Sequence, residues 1–197
     1  MKSILSVTLL MLFAGSSAVL HAEGKKPDAK AGETEVEKTV VIGADAPEFK
    51  IKDSAGNEID LAKLTEQGPV LVRLTCGCSG CDKELAYFQT LHEEYKGKGL
   101  VSLAIFREPD TKVEEYVKQK KLKMLYAVDT KGESWKVFQT KTMPTNFLIE
   151  KGGTIRSIAA GCDPSGLLAN KVSQYVAEIL KTEQVDVKAT TNANAAK

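Results

Sequence analysis

The sequence lacks an excess of charge of either sign. Its 27 Lys and Arg residues are balanced by 26 Asp and Glu residues, which leaves a formal net charge of +1 at pH 7. Binding to nucleic acid or to an anionic membrane surface is usually driven by a strong positive field, and this composition supplies none. We therefore expect no nucleic-acid partner and no membrane association beyond that of an export signal.

Histidine and cysteine are scarce, with two His and four Cys in 197 residues. Cys76, Cys78 and Cys81 form the pattern C-x-C-x-x-C, which could hold a soft metal such as Zn(II) or Cu(I). A zinc site usually needs a second pair of ligands, however, and only His92 and Cys162 remain outside the first 22 residues. We therefore expect no metal and no cofactor, and soft-metal binding remains an alternative function.

Apolar runs long enough to cross a bilayer are also missing. Ile4 to Phe13 is apolar and follows Lys2, but this run is too short to span a membrane as a helix. Residues 1–22 are therefore predicted to be a cleaved signal peptide, with an uncleaved anchor as the alternative. Either interpretation predicts an exported protein, periplasmic or extracellular, in a compartment where disulfides form and persist.

Two further segments are poor in large apolar side chains. Residues 23–38 contain only Val36 among many charges, and we expect a disordered linker there because so little apolar surface could be buried. Residues 182–197 are mostly small and polar and are predicted to be a frayed, disordered tail. The folded domain is therefore predicted to cover residues 39–181, a length sufficient for a substantial hydrophobic core.

The first part of this domain alternates between strand and helix. Apolar runs predict strands over residues 70–75, 100–106 and 124–128, and helical spacing predicts helices that begin near Ser79 and Asp110. A β-α-β-α-β order is typical of a parallel sheet with right-handed crossovers.

The later part follows a different pattern. Residues 147–149 and 154–159 are separated by too few residues for a crossover, which predicts an antiparallel hairpin. A final helix is predicted after Asp163, and a small hairpin is predicted near the start, over residues 48–52 and 58–60. The predicted fold is α/β, a mixed sheet of about five strands with helices on both faces and an N-terminal β-hairpin.

The stretch from Pro69 to Leu85 carries the chemistry. An apolar strand delivers Cys78 and Cys81, at C-x-x-C spacing, to the start of a helical pattern. Residues three apart on a helix share a face, so a disulfide could close between them. The positive end of the helix dipole favours the thiolate at the first cysteine. We therefore predict Cys78 as the nucleophile and Cys81 as the resolving thiol of a disulfide exchange.

Three motifs resemble the exported thiol-disulfide oxidoreductases of the TlpA/ResA kind, which are related to the AhpC/TSA peroxiredoxins. They are the G-x-x-A-P-x-F pattern at residues 43–49, the C-x-x-C-x-x-E pattern within residues 78–85, and Met-Pro-Thr at residues 143–145. The similarity covers about residues 43–181. It implies a thioredoxin fold, a disulfide- or thiol-bearing protein substrate and an upstream redox partner, and we expect a monomer.

The resemblance also implies roles for individual residues. Met143 and Pro144 match a cis-proline loop that presents backbone to the substrate, and Gly161 matches a glycine beside that loop. Glu84 matches an acidic residue that handles protons near the cysteines. The alternative for Glu84 is a solvated carboxylate that the helix dipole favours in the first turn.

The sequence departs from this family at Gly77, where the family usually has Trp immediately before the first cysteine. An aromatic wall of the substrate groove is therefore expected to be missing. The only tryptophan, Trp135, is predicted to be packed in the core, and His92 is interpreted as a packed or surface histidine rather than a ligand. Thiol peroxidase of the AhpC/TSA type remains an alternative, although the Pro and Thr of its P-x-x-x-T-x-x-C motif are absent.

Cys76 and Cys162 are the two auxiliary thiols. Both are predicted to lie near the active site, Cys162 because the resemblance places Gly161 beside the cis-proline loop. Four cysteines allow three pairings, of which we favour Cys78 with Cys81 and Cys76 with Cys162. The alternative is that the two auxiliary cysteines are unpaired and pack as small hydrophobic residues.

Overall fold

The structure is a computed structural model that describes residues 39–196. The predicted signal peptide and the predicted linker lie outside these residues. The described chain forms a two-stranded sheet, a five-stranded sheet and six helices. The strands are β1 Lys50–Lys52, β2 Glu58–Asp60, β3 Val70–Thr75, β4 Val101–Phe106, β5 Leu125–Val128, β6 Thr145–Ile149 and β7 Ile155–Ala160. The helices are α1 Leu61–Gln67, α2 Ser79–Lys96, α3 Asp110–Lys120, α4 Glu133–Val137, α5 Leu167–Leu180 and α6 Val187–Ala195.

The main sheet has the strand order β5-β4-β3-β6-β7. Strands β3, β4 and β5 are parallel, whereas β6 runs antiparallel to both β3 and β7. The predicted mixed five-stranded sheet is therefore confirmed, and β1 and β2 form the predicted N-terminal hairpin. Strand β3 lies at the centre, between β4 and β6, so the residues that follow it emerge at the middle of one edge of the sheet.

The core is divided by the sheet because alternate side chains of a strand point to opposite faces. Val70, Val72 and Leu74 of β3 pack on one face with aromatic residues that include Trp135. Leu71 packs on the other face with residues of α2, α5 and α6. All six residues of β3 are buried, which explains its nearly continuous apolar sequence.

The C-terminal segment differs from the predicted frayed tail. Residues 187–195 form helix α6, which Asp186 caps by accepting a hydrogen bond from the backbone N–H of Ala189. Val187 is fully buried, and the Thr191 hydroxyl lies 2.7 Å from that of Thr90 on α2. The prediction was wrong because it relied on the average polarity of the tail, which does not reveal that Val187 is buried and that Asp186 caps a helix. Within residues 39–196, no helix combines the length and apolar character needed to cross a bilayer.

Candidate active site

The cysteine motif lies where β3 ends and α2 begins. Cys76 follows the last strand residue, Thr75, and Cys78 is the N-cap residue of α2 with an extended backbone, at φ −78° and ψ 157°. Cys81 lies in the first turn of the helix. The predicted placement of the motif at a helix N-terminus is therefore confirmed.

The disulfide pairing differs from the prediction. Cys76 is bonded to Cys78, with their Cα atoms 5.4 Å apart, and Cys81 is a free thiol. The predicted Cys78–Cys81 bond is thus wrong for this structure, because the first helical turn directs the Cys81 sulfur toward Cys76 instead, at an Sγ to Sγ distance of 3.1 Å.

The three sulfur atoms form a cluster with unequal access to solvent. All three lie within 4.8 Å of one another. Cys76 and Cys81 are 8% and 2% exposed, whereas Cys78 is exposed. A substrate disulfide or thiol that approaches the protein surface would therefore meet Cys78 first. When the disulfide is reduced, the same three sulfurs form a donor set that suits a soft cation.

Cys162 lies near this cluster but is not bonded to it. Its Sγ donates a hydrogen bond to the backbone carbonyl of Gly80 at 2.7 Å, which confirms its predicted position near the motif. The predicted Cys76–Cys162 bridge is wrong, because Cys76 is bonded to Cys78 and Cys162 is a free, exposed cysteine. Desolvation of the sulfur and the negative charge of Glu84 raise the pKa of the Cys162 thiol.

Glu84 is buried rather than solvated, so the alternative of a solvent-exposed carboxylate is wrong. Its Oε1 accepts a hydrogen bond from Arg73 Nη1 at 2.6 Å, and both side chains are only 1% exposed. Its Oε2 accepts a hydrogen bond from the backbone N–H of Asp163 at 2.8 Å. Glu84 therefore ties α2 both to the central strand and to the loop that follows β7.

Arg73 extends this buried network. Nη1 also donates to Asn146 Oδ1 on β6 at 2.9 Å, and Nη2 donates to the backbone carbonyl of Cys81 at 3.1 Å. The guanidinium group lies over the ring of Phe88, 4.7 Å from its centroid. Sequence reasoning missed this residue. A charged side chain within an otherwise apolar central strand was the signal, because a buried guanidinium requires a buried partner.

The predicted proline loop adjoins the same end of β3. The Met143–Pro144 peptide bond is cis, as predicted. The next residue, Thr145, pairs with Leu74 in the register of β6 and β3, which brings Pro144 beside the strand end that leads to Cys76. Gly161 donates its backbone N–H to the Pro144 carbonyl at 2.9 Å. The predicted substrate-binding residues are thus adjacent to one another, while their role in binding remains a prediction.

Two other candidates occupy packing positions. Trp135 is buried in the core on the side of the sheet opposite Leu71, as predicted. His92 is buried on α2, and desolvation lowers the pKa of its imidazole. Both side chains are therefore packed inside the protein.

A cavity of about 330 Å³ opens beside Cys78, and sequence reasoning did not predict it. Gly77 lies at its edge and donates its backbone N–H to Glu108 Oε1 at 2.9 Å. A Cβ atom at residue 77 would lie 3.3 Å from Cδ2 of Tyr116, so glycine leaves the Tyr116 ring room to line the cavity. The remaining lining residues are Phe106, Lys112, Val113, Glu115 and Gln119.

Comparison with known proteins matches residues 42–158 to the sequence model of the AhpC/TSA family. The thiol-disulfide oxidoreductase ResA of Bacillus thuringiensis subsp. konkukian is 36% identical over 120 residues, which cover 60% of this chain and 69% of the relative. ResA of Geobacillus kaustophilus is 31% identical over 127 residues, which cover 64% of this chain and 73% of the relative.

Solved structures agree with the fold. A putative thiol:disulfide interchange protein DsbE from Chlorobium tepidum superposes with a TM-score of 0.66 at 22% identity, over 72% of this chain and 99% of that protein. A putative thioredoxin from Neisseria meningitidis gives a TM-score of 0.57 at 27% identity, over 66% of this chain and 87% of that protein. The predicted thioredoxin-like architecture is therefore confirmed.

Proposed function

This chain belongs to the AhpC/TSA family, and we propose that it is a thiol-disulfide oxidoreductase whose Cys78 sulfur exchanges with substrate. The observation that carries this proposal is the unequal exposure of the sulfur cluster. Cys78 is exposed, while Cys76 and Cys81 lie within reach of it but are buried. A buried thiol cannot be reached by a protein substrate, so the exchange with the substrate is assigned to Cys78.

The exchange can run in either direction, and in each case one disulfide is formed for each one that is broken. When the Cys76–Cys78 disulfide meets a substrate dithiol, a substrate thiolate attacks Cys78 Sγ and Cys76 leaves as a thiolate. The second substrate thiolate then attacks the substrate sulfur that is bonded to Cys78. This step releases Cys78, oxidises the substrate and leaves the protein reduced. In the reverse direction, the Cys78 thiolate attacks a substrate disulfide and a neighbouring thiol of the cluster displaces the product.

The surrounding residues would support this reaction by positioning the sulfurs and the substrate. The N-terminus of α2 stabilises negative charge on Cys78 when it is a thiolate. Met143, Pro144 and Gly161 are proposed to present backbone groups to the substrate chain, as the resemblance implies. Glu84 is proposed to act as a positioning residue, because both of its oxygens already accept hydrogen bonds.

Export of the chain is part of the proposal. The N-terminal sequence pattern supports it, and a disulfide exchange of this kind is useful where disulfides persist. Fractionation of cells that express the full chain should recover it outside the cytoplasm. Recovery only in the cytoplasm would contradict export without affecting the exchange chemistry.

A reductase assay with insulin tests the central assignment. All variants would carry Cys162→Ser, so that the remaining free thiol cannot substitute for another, and this single variant serves as the parent. Cys78→Ser in that background should lower insulin reduction at least about a thousandfold, because no exposed sulfur of the cluster remains. Full activity in the Cys78→Ser variant, with thermal unfolding unchanged, would refute the assignment.

Soft-metal binding is the second candidate function, because three sulfurs lie within 4.8 Å of one another. Metal analysis of protein purified under reducing conditions separates the two candidates. Sub-stoichiometric metal together with insulin reduction is expected. Stoichiometric Zn or Cu that blocks thiol titration would favour the carrier function instead.

A further inference from the structure

The free thiol of the cluster lies against the buried half of the disulfide. Cys81 Sγ is 3.1 Å from Sγ of Cys76, the partner of the exposed Cys78 in the disulfide. Both Cys81 and Cys76 are buried. A thiolate at Cys81 is therefore placed next to the sulfur that it would attack in an exchange within the protein, and no substrate is needed for that step.

We propose that the three cysteines form an internal relay that moves the disulfide inward. The Cys81 thiolate attacks Cys76 Sγ, a Cys76–Cys81 bond forms, and the Cys76–Cys78 bond breaks to release Cys78 as a thiolate. The Cys81 thiol loses its proton when it forms the attacking thiolate, and the exposed Cys78 sulfur can take up a proton after its release, so the protons balance. The number of disulfides does not change, so the step requires no external oxidant or reductant.

The environment of the leaving sulfur favours this direction. Cys78 is the N-cap residue of α2, where the unpaired backbone N–H groups of the first turn stabilise a negative charge. It is also exposed, so its thiolate is hydrated. The new bond, in contrast, joins two buried cysteines, so an external thiol would reach it less readily than it reaches Cys78.

The buried network holds Cys81 in the position that the attack requires. Arg73 Nη2 donates to the backbone carbonyl of Cys81 at 3.1 Å, and the same guanidinium is paired with Glu84 one helical turn later. The first turn of α2 is therefore fixed against the end of β3. The contact holds the backbone of Cys81 near the end of β3, where its Sγ lies 3.1 Å from that of Cys76.

The relay gives the oxidised protein two chemical forms, and this consequence depends on the proposed exchange at Cys78. With the disulfide at Cys76–Cys78, the exposed group is a disulfide, which accepts electrons from substrate thiols. With the disulfide at Cys76–Cys81, the exposed group is the Cys78 thiolate, which attacks substrate disulfides. The second form would rearrange disulfides in a substrate without net oxidation, so the substrate class includes proteins with mispaired disulfides.

Alkylation of the folded, oxidised protein tests the relay. The Cys162→Ser variant, oxidised until one thiol remains among the three, would be treated with iodoacetamide before denaturation. Trypsin should then release residues 74–83, which contain all three cysteines, and fragmentation identifies the alkylated one. The relay predicts alkylation at Cys78, at least about tenfold faster than at Cys81, because iodoacetamide in solution reaches an exposed sulfur far more readily than a buried one.

The matched control is Cys81→Ser in the same background. Without the attacking thiol, the Cys76–Cys78 disulfide should persist and native alkylation of Cys78 should be lost. Alkylation of Cys81 or Cys76 in the oxidised parent, no alkylation before denaturation, or continued alkylation of Cys78 in the Cys81→Ser control would each overturn the relay. Alkylation at Cys78 without insulin reduction would instead support the relay and contradict the proposed function, so the two failures are distinguishable.

Discussion

The two sides of the cysteine cluster carry ion pairs that differ in their exposure to solvent. On the buried side, Arg73 and Glu84 form an ion pair in which each side chain is 1% exposed. On the open side, Lys120 pairs with Asp82 at 2.7 Å, but these side chains remain 33% and 30% exposed. The buried pair joins α2 to the sheet, whereas the open pair lies on a surface that solvent reaches.

Similar charge pairs therefore differ in how much their loss reduces the stability of the fold. A buried charge that loses its partner remains desolvated, so breaking such a pair is strongly destabilising. An exposed pair is screened by water, and its loss has little effect on stability. We therefore expect the positions of the sulfurs to depend on the buried pair, Arg73 and Glu84. Access to the exposed Cys78 sulfur should depend on the open side, where Lys120 and Asp82 lie.

The largest expected effect follows from breaking the buried pair. Glu84→Gln should lower the free energy of unfolding by about 3 to 5 kcal/mol, because the Arg73 guanidinium would be left buried without a counter-charge. Chemical denaturation followed by circular dichroism would measure the change. Glu133→Gln is the matched control, since Glu133 is 60% exposed and its ion pair is with Lys136, which is 72% exposed.

The control should change the free energy of unfolding by less than about 0.5 kcal/mol. Equal effects of the two substitutions would contradict the contrast between a buried and an exposed pair.

A smaller effect is expected from closing the cavity on the open side. Gly77→Trp would place an indole next to the Tyr116 ring and across the opening beside Cys78. We expect KM for insulin to rise about tenfold while exchange with dithiothreitol is nearly unchanged, because only the bulky substrate needs the space. Steady-state kinetics with both substrates would measure this.

Gly77→Ala is the control for the loss of glycine itself, because its methyl group requires only a slight displacement of Tyr116. A Gly77→Trp variant that improves insulin turnover would show that the missing aromatic residue weakens substrate binding, contrary to our expectation.

The smallest effect is expected from the exposed pair. Asp82→Asn removes the ion pair with Lys120 and weakens the hydrogen bond that the Tyr116 hydroxyl donates to Asp82 Oδ1 at 2.9 Å. The free energy of unfolding should fall by no more than about 1 kcal/mol, and less at high salt. A loss comparable to that of Glu84→Gln would mean that the open side also determines the position of α2.

The sheet and the location of the cysteine motif could be predicted because they depend on local patterns. The apolar run before Cys76 and the short connection before Ile155 were sufficient to place a central strand and a hairpin. Helix α6 could not be predicted in this way, since Val187 is its one buried residue and a capping Asp such as Asp186 is also common in loops.

The details of the site depended on tertiary contacts that spacing does not reveal. C-x-x-C spacing allows a Cys78–Cys81 bond, but the choice of partner depends on how the end of β3 directs Cys76 toward the helix. Glu84 was predicted to matter, yet its pairing with Arg73 joins a helix to a strand eleven residues earlier. To predict such a pair, one must know which face of the helix packs against which face of the sheet.

We propose that substrate exchanges at Cys78 and that the buried thiols of Cys76 and Cys81 then displace it. The double variant Cys76→Ser and Cys81→Ser retains Cys78 and Cys162, and it would be incubated with insulin and quenched in acid. Tryptic peptides covering residues 74–83 and 157–171 distinguish the two remaining thiols by mass spectrometry. We predict a stable mixed disulfide on Cys78, because no buried thiol remains to displace the substrate. A mixed disulfide found only on Cys162 would contradict the account.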